Sequence, residues 1–234
     1  MTEMTLEEFL GPISAALGHD AVPDKPAGAY DPSRGLAREE YAALSPDDLA
    51  ARFEEEGRLI SLETRRVAPE EAAAAVVAQV RELEGTSVVF ADDPLADAYG
   101  LPTALEAAGL AATRWDAAQG RAAVDACATA DVGVCFPFAG IARTATVAIR
   151  CDERCGRAVS LLPTASVAVV PKSRLVPQMI DVLEQVEAEA AAGTDTLPSS
   201  IVFSTGPSAT SDIELVRVVG VHGPVSAAVI IVED

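Results

Sequence analysis

The sequence predicts an α/β fold, a three-layer α/β/α sandwich with a mixed sheet and an N-terminal helical arm. After Gly85, short β-rich runs alternate with helical segments, a pattern typical of strands interleaved with helices. The runs 144–150 and 157–162 are predicted to pair as a hairpin, which makes the sheet mixed rather than parallel. We therefore divide the chain into an arm and loop at 1–60 and an α/β domain at 61–234.

Three helices are predicted before the sheet. The first contains apolar residues at helical spacing, namely Leu6, Phe9, Leu10, Ile13 and Leu17. A loop over 18–34, rich in glycine, proline and aspartate, follows it. Ser45 is a suitable N-cap for the second helix, with Pro46 at its first position. The third helix begins near Pro69 and runs through an alanine-rich segment to Leu83.

The remaining elements follow from apolar runs and their periodicity. Strands are predicted at 86–91, 132–136, 166–170, 200–204 and 225–232, and helices at 103–108, 117–128 and 176–192. The last helix is expected to turn Leu183 and Val186 inward.

The composition and charge of the chain exclude some classes of function. Half of the 234 residues are hydrophobic, which is enough for a buried core. The formal charge of -19, from 17 basic and 36 acidic residues, would repel phosphate backbones and anionic lipid, so we expect no nucleic-acid partner. No run approaches the roughly 20 apolar residues of a bilayer span, and the acidic N-terminus is unlike a signal peptide, so we expect a cytoplasmic protein without membrane insertion.

The segment 204–214 is the most informative for function. It follows a predicted strand and is dense in glycine and hydroxyl groups, and Ser211 with Glu214 fits a capping box that would open a helix. Backbone N–H groups at such a strand-to-helix turn favour a phosphate or carboxylate. The candidate ligand-binding residues here are Thr205, Gly206, Ser208 and Thr210. An ordinary turn with a helix cap explains the same residues.

Two further segments are candidates for the same site. Gly220–Pro224 forms a tight turn around His222, which is either an acid/base group or a brace for the turn, with Gly223 as a ligand-binding candidate. Arg143 and Thr144 precede a strand, and Arg143 would supply positive charge to a chain with only two lysines. The alternative for Arg143 is a surface ion pair.

The cysteine and histidine pattern predicts no metal site in this chain. Cys151 and Cys155 are separated by three residues, unlike zinc or iron–sulfur spacings, whereas Cys127 and Cys135 are expected to be core thiols. Two histidines cannot form a multi-histidine site. The sequence also lacks the glycine-rich motifs of dinucleotide-binding proteins and P-loop NTPases and the GxSxG motif of α/β-hydrolases.

Taken together, these segments resemble the lactate-utilisation protein C family, which is built on the LUD domain. The matching residues include Ala130–Gly133, Gly140–Ala142, Thr144, Arg157–Pro163, Val169–Val170, Leu175–Pro177, Gly206–Ser208, Thr210, Asp212–Glu214 and Gly220–Pro224. The sequence departs from the family pattern at Arg143 and Ala145, where the family commonly has Glu and Gly. It also departs at Ala209 and Ser211, where Arg and Ala are common.

The resemblance implies a fold similar to CoA transferases and ribose-5-phosphate isomerase. It also implies a role in bacterial oxidation of L-lactate, beside partner subunits that carry iron–sulfur clusters while this chain binds no cofactor. Our first hypothesis is therefore an accessory subunit that binds a small anionic metabolite.

Two alternatives stay open. One is a free-standing enzyme acting on a sugar phosphate or CoA ester, with Asp212, Glu214 and His222 as candidate catalytic residues. The other is a ligand-sensing module that performs no chemistry.

Overall fold

A six-stranded parallel sheet dominates the computed structural model, which describes residues 5–18, 44–193, 198–210, 218–219 and 222–234. The strands are β1 (Glu63–Val67), β2 (Ser87–Phe90), β3 (Ala111–Arg114), β4 (Val132–Cys135), β5 (Ala139–Ile141), β6 (Thr146–Cys151), β7 (Ala165–Pro171), β8 (Leu175–Val176), β9 (Ser200–Ser204), β10 (Ala209–Thr210), β11 (Val218–Val219) and β12 (Ser226–Val232). The central sheet has the order β1-β12-β7-β4-β2-β3, and every neighbouring pair is parallel.

The helices that the structure describes are α1 (Leu6–Ala16), α2 (Pro46–Leu59), α3 (Ala72–Glu82), α4 (Pro94–Ala98), α5 (Leu101–Ala107), α6 (Arg121–Thr129), α7 (Arg157–Leu161) and α8 (Met179–Ala192). Helices α3 to α8 lie between strands along the chain. α3 packs against α5, and α6 packs against α7. Along the sheet, the chain moves toward the β3 edge from β2 to β3 and back toward the β1 edge from β3 to β4. Because such crossovers are right-handed, the two helix pairs lie on opposite faces of the sheet. The predicted α/β class with its three layers is therefore confirmed.

A second sheet contains antiparallel strands, although the strands that pair differ from the predicted hairpin. Its order is β8-β5-β6-β9; β5 and β9 are both antiparallel to β6, while β8 is parallel to β5. A small apolar cluster of its own includes Ala139, Ile141 and Ala148 with Val182 of α8. The mixture of strand directions thus belongs to this sheet, and the central sheet is parallel.

The predicted hairpin between 144–150 and 157–162 is wrong. The first run is β6, but it pairs with β5 and β9, and the second run is the short helix α7. α7 lies on β4, where the absence of a side chain at Gly133 lets the Val159 carbonyl come close to the strand. This contact is between residues distant in sequence, so the local pattern did not reveal the helix.

The chain divides into two compact units, Met1–Tyr41 and Ala42–Asp234. α1 is the described helix of the first unit, and Thr5 and Glu8 form a capping box at its start. α2 belongs to the second unit, packing against β1 and against the turn at 142–144. The boundary between the units therefore lies before α2, whereas the sequence division at residue 60 placed this helix in the arm.

Asp131 ties the amino-terminal ends of β2 and β4 together. Its Oδ2 accepts hydrogen bonds from the backbone N–H groups of Thr86 at 2.8 Å and Ser87 at 2.9 Å. The hydroxyls of the same two residues lie 3.0 and 2.9 Å from that oxygen. These bonds, the Thr86 N–H foremost, lower the pKa of the Asp131 carboxyl to about 2.

We expect Asp131→Asn to lower the free energy of unfolding at pH 7 by about 1–3 kcal/mol, because a weaker acceptor replaces the carboxylate. The lowered pKa of Asp131 means that its contribution is complete above the unfolded value near 4 and is lost as the pH falls toward 2. Urea unfolding at pH 7 and at successively lower pH would show the difference between wild type and variant shrinking over that window. Asp125→Asn is the control, since this carboxylate forms an exposed pair with Arg121. A difference that does not change with pH would contradict the assignment.

Candidate functional site

Three threonine hydroxyls form a continuous chain at one end of the second sheet. Thr146 Oγ1 lies 2.8 Å from Thr144 Oγ1 and 2.7 Å from Thr205 Oγ1. The antiparallel ladder of β6 and β9 creates this contact: Val147 pairs with Ser204, and Thr146 and Thr205 follow in the same register. Thr146 is buried, while Thr144 and Thr205 are exposed. The structure thus joins two predicted ligand-binding residues through a third that the sequence analysis did not select.

The number of hydroxyl hydrogens limits how many hydrogen bonds this threonine chain can donate to a ligand. Each hydroxyl carries one hydrogen, and the two bonds within the chain use two of the three. Thr146 Oγ1 is also 3.4 Å from the Thr144 carbonyl oxygen, which is too long for a strong bond. When Thr146 donates within the chain, one hydrogen remains at Thr144 or Thr205 to donate to an acceptor outside the chain.

The turn at 142–144 fixes Arg143 and Thr144 at the start of β6. The backbone N–H of Arg143 donates to Pro177 O at 3.1 Å, and its Nη1 donates to the buried Gln178 at 3.1 Å. Ala145 follows in the left-handed region with φ of 47°, a conformation that favours glycine.

The two other predicted loops also meet. The backbone N–H of Ser208 donates to Pro224 O at 3.0 Å, and a side chain at Gly223 would lie 3.4 Å from Ser208 Cβ. Gly206 has φ of 72°, and a Cβ there would lie 3.1 Å from Ile60 Cδ1, so the turn after β9 requires glycine. Loops 205–210 and 222–224 are therefore neighbours, as one site would require.

The candidate catalytic residues are only partly described. Asp212, Glu214 and the predicted N-cap Ser211 lie outside the described residues. His222 is exposed and bonds to no other residue that the structure describes. Thr210 lies in a short antiparallel ribbon, opposite Val218. The proposed acid/base roles therefore stay predictions.

A cavity of about 320 Å³ opens at the carboxyl edge of the central sheet, and none of the residues that line it was a candidate site residue in the sequence analysis. It lies beside the ends of β2 and β4, and is lined by Ala91, Asp93, Phe136, Phe138, Ile149, Arg150, Asp152, Arg154, Cys155, Arg174, Gln185 and Glu189. We call it the switch-point cavity, because the chain leaves β2 and β4 in opposite directions along the sheet. Three arginines from separate segments converge on it.

The sequence contained one signal for this cavity. Arg150 ends an apolar run and Arg154 follows four residues later, so two cations cluster where a strand ends. Arg174 joins them only through the order of the strands, which the sequence did not predict. The loop 204–210 was expected at this edge, but it follows β9 at the edge of the second sheet.

All four cysteines are buried free thiols. Burial raises the pKa of Cys127 to about 11 and that of Cys135 to about 12, and it also raises the pKa of Cys151 and of Cys155. The expectation that Cys127 and Cys135 are core residues is confirmed. Within the described ranges, no three His, Cys, Asp or Glu side chains are grouped to hold a metal ion. None of the helices described there is long and apolar enough to cross a membrane.

Curated relatives resemble the chain over nearly its full length. "Lactate utilization protein C" of Bacillus velezensis is 34% identical over 97% of this chain and 95% of its own. The Bacillus subtilis protein of the same name is 34% identical over all of both chains. The Geobacillus thermodenitrificans relative is 36% identical over 83% of this chain and 82% of its own.

A solved structure supports the fold. The crystal structure of a DUF162 family protein from Deinococcus radiodurans has a TM-score of 0.57 to this chain and covers 81% of it and 99% of the crystallised chain. At 21% identity the match concerns the fold alone. The profile of the LUD domain matches residues 50–232. With that match and relatives about one-third identical over nearly their whole length, the chain belongs to the lactate-utilisation protein C family, built on the LUD domain.

Proposed function

We propose that this protein acts in the cytoplasm in L-lactate utilisation, as a subunit that binds a small anion and carries no iron–sulfur cluster. Similarity to proteins named for lactate utilisation, at 34% identity over 97% of the chain, is the observation that carries the proposal. The partners would be subunits with iron–sulfur clusters. The spacing of the four cysteines, which is unlike the spacing in iron–sulfur sites, supports placing the clusters on those partners.

The anion would bind at the exposed ends of the threonine chain. Thr144 or Thr205 has a hydroxyl hydrogen to donate to a carboxylate, and Arg143 is held one residue from Thr144. Backbone groups of the neighbouring loops, around Ser208 and Gly223, would complete the pocket. Neutral donors of this kind bind a carboxylate without burying a charge of their own.

Gene deletion in the host tests the role. We expect the deletion strain to lose growth on L-lactate as the only carbon source and to keep growth on glucose, with the wild-type gene restoring growth. Affinity purification under anaerobic conditions is expected to recover proteins that contain iron and acid-labile sulfide. Normal growth of the deletion strain on L-lactate would refute the proposal.

Calorimetric titration with sodium L-lactate tests the binding site separately. Thr205→Val removes one exposed end of the threonine chain while retaining its shape, and we expect the affinity to fall by about tenfold. Thr129→Val is the matched control, since its hydroxyl bonds only to carbonyls in its own helix. Equal loss in both variants, or wild-type affinity in Thr205→Val, would place the ligand elsewhere.

A further inference from the structure

We propose that the switch-point cavity is a second binding site, which takes a small organic monocarboxylate held by Arg154 and Arg174. This site is separate from the threonine chain and does not rest on the role in lactate utilisation. The proposal follows from the position of the cavity in the fold, the hydrogen-bond donors that its arginines retain, its balanced charge and its apolar wall.

The topology places the cavity where parallel α/β sheets bind ligands. β2 and β4 are neighbours, but the chain continues from β2 to β3 on one side and from β4 to β7 on the other. The connections therefore leave on opposite faces and open a crevice at the carboxyl ends of these two strands. Ala91 and Asp93 line the cavity just after β2, and Phe136 and Phe138 line it just after β4.

The three arginines differ in how fully they are occupied. Arg150 forms an ion pair with Glu189, and its guanidinium carbon lies 4.3 Å from the centre of the Phe138 ring. Arg174 uses one nitrogen, Nη1, to donate to Pro137 O at 3.0 Å. The Arg154 guanidinium bonds to no side chain or carbonyl that the structure describes. Arg154 and Arg174 therefore retain N–H groups in the fork geometry that matches a carboxylate.

The acidic residues of the cavity lining already accept hydrogen bonds or form an ion pair. Asp93 accepts from the Leu95 N–H at 2.9 Å as the N-cap of α4. Asp152 accepts from the N–H groups of Arg154 at 2.8 Å and Cys155 at 3.1 Å. Together with Glu189 these carboxylates balance the three arginines in formal charge, so a monocarboxylate would leave one negative charge uncompensated and a doubly charged phosphate would leave two.

Part of the mainly polar lining is apolar and offers a contact for the carbon skeleton of a ligand. Phe136 is buried, and Ala91 and Ile149 are buried beside it on the same lining. A volume of about 320 Å³ is at the small end of ligand cavities, and corresponds to roughly ten water molecules. A monocarboxylate of a few carbons fits the arginine N–H groups, the apolar contact and the size together.

Titration of the full chain with sodium butanoate, followed by calorimetry, tests the site. Butanoate has the charge and the apolar chain, and because its carboxylate can also accept from the threonine chain, the titrations are made in a Thr205→Val background. In that background we expect one saturable site, and a loss of at least about tenfold in affinity for Arg154→Gln and for Arg174→Gln. Inorganic phosphate at equal ionic strength is expected to bind more weakly than butanoate.

The controls separate this site from the threonine chain and from folding. Arg121→Gln removes an exposed surface arginine, so in the same background it is expected to leave the affinity for butanoate unchanged. Arg154 is exposed, which makes Arg154→Gln the variant that tests binding without endangering the fold; its thermal midpoint is measured alongside. Absence of saturable butanoate binding, tighter binding of phosphate, or unchanged affinity in Arg154→Gln would overturn the proposal.

Discussion

Gly133→Ala is expected to destabilise the protein by at least about 3 kcal/mol, enough to unfold a chain of ordinary stability in part. A Cβ at this position would lie 1.9 Å from the carbonyl oxygen of Val159 and 3.0 Å from Pro163 Cγ. Neither partner can rotate away, because one is backbone and the other is a proline ring. β4 is also held between β2 and β7, so α7 would have to leave the sheet.

Urea unfolding followed by circular dichroism measures this loss. Gly11→Ala is the matched control, because no atom of the residues that the structure describes lies within 4 Å of a Cβ there and alanine is favoured over glycine within a helix. We expect the control to keep the wild-type midpoint or to raise it. A Gly133→Ala protein that unfolds at the wild-type urea concentration would show that α7 does not need this close approach.

Local signals predicted the start of α2. Ser45 caps α2 with Pro46 at its first position and Asp48 completing a capping box, all within four residues. The edge strands β1 and β3 were missed, because sequences such as Glu63–Val67 carry charge and lack the apolar run of a central strand.

The inward face of α8 shows why a helical pattern does not settle packing. Val182 is completely buried, whereas Leu183, which was predicted to face inward, is 46% exposed. Both residues are apolar and adjacent, so the sequence does not distinguish them. The choice depends on where β5 and β8 lie, and that is set by pairings with residues far along the chain.

The candidate site likewise combines residues that the local sequence predicts with residues that only the pairing of distant strands brings together. The segments containing Thr144 and Thr205 could be predicted from their glycine and hydroxyl content, which is a local property. Thr146 could not, since it joins them only through the register of β6 and β9. The switch-point cavity depends on the strand order of the whole sheet, which no local pattern contains.

Phe53→Ala is expected to cost about 3–5 kcal/mol, the range for deleting a fully buried aromatic ring. Phe53 is the completely buried anchor of α2, and its ring approaches the backbone of Gly140, where an added Cβ would lie 3.5 Å from Cε2. α2 also packs against the turn at 142–144, which carries Thr144. The substitution therefore removes core contacts and loosens the support of the threonine chain at once.

The two effects of Phe53→Ala are measured separately. Urea unfolding gives the stability, and calorimetric titration with L-lactate, at a temperature where the variant is still folded, gives the affinity. Leu59→Ala is the control on the same helix: Leu59 is 71% exposed, so we expect a change within about 0.5 kcal/mol and unchanged binding. Phe53→Leu keeps most of the volume and is expected to cost less than Phe53→Ala. If Phe53→Ala lowers stability but binds L-lactate as the wild type does, α2 supports the core alone and does not position Thr144.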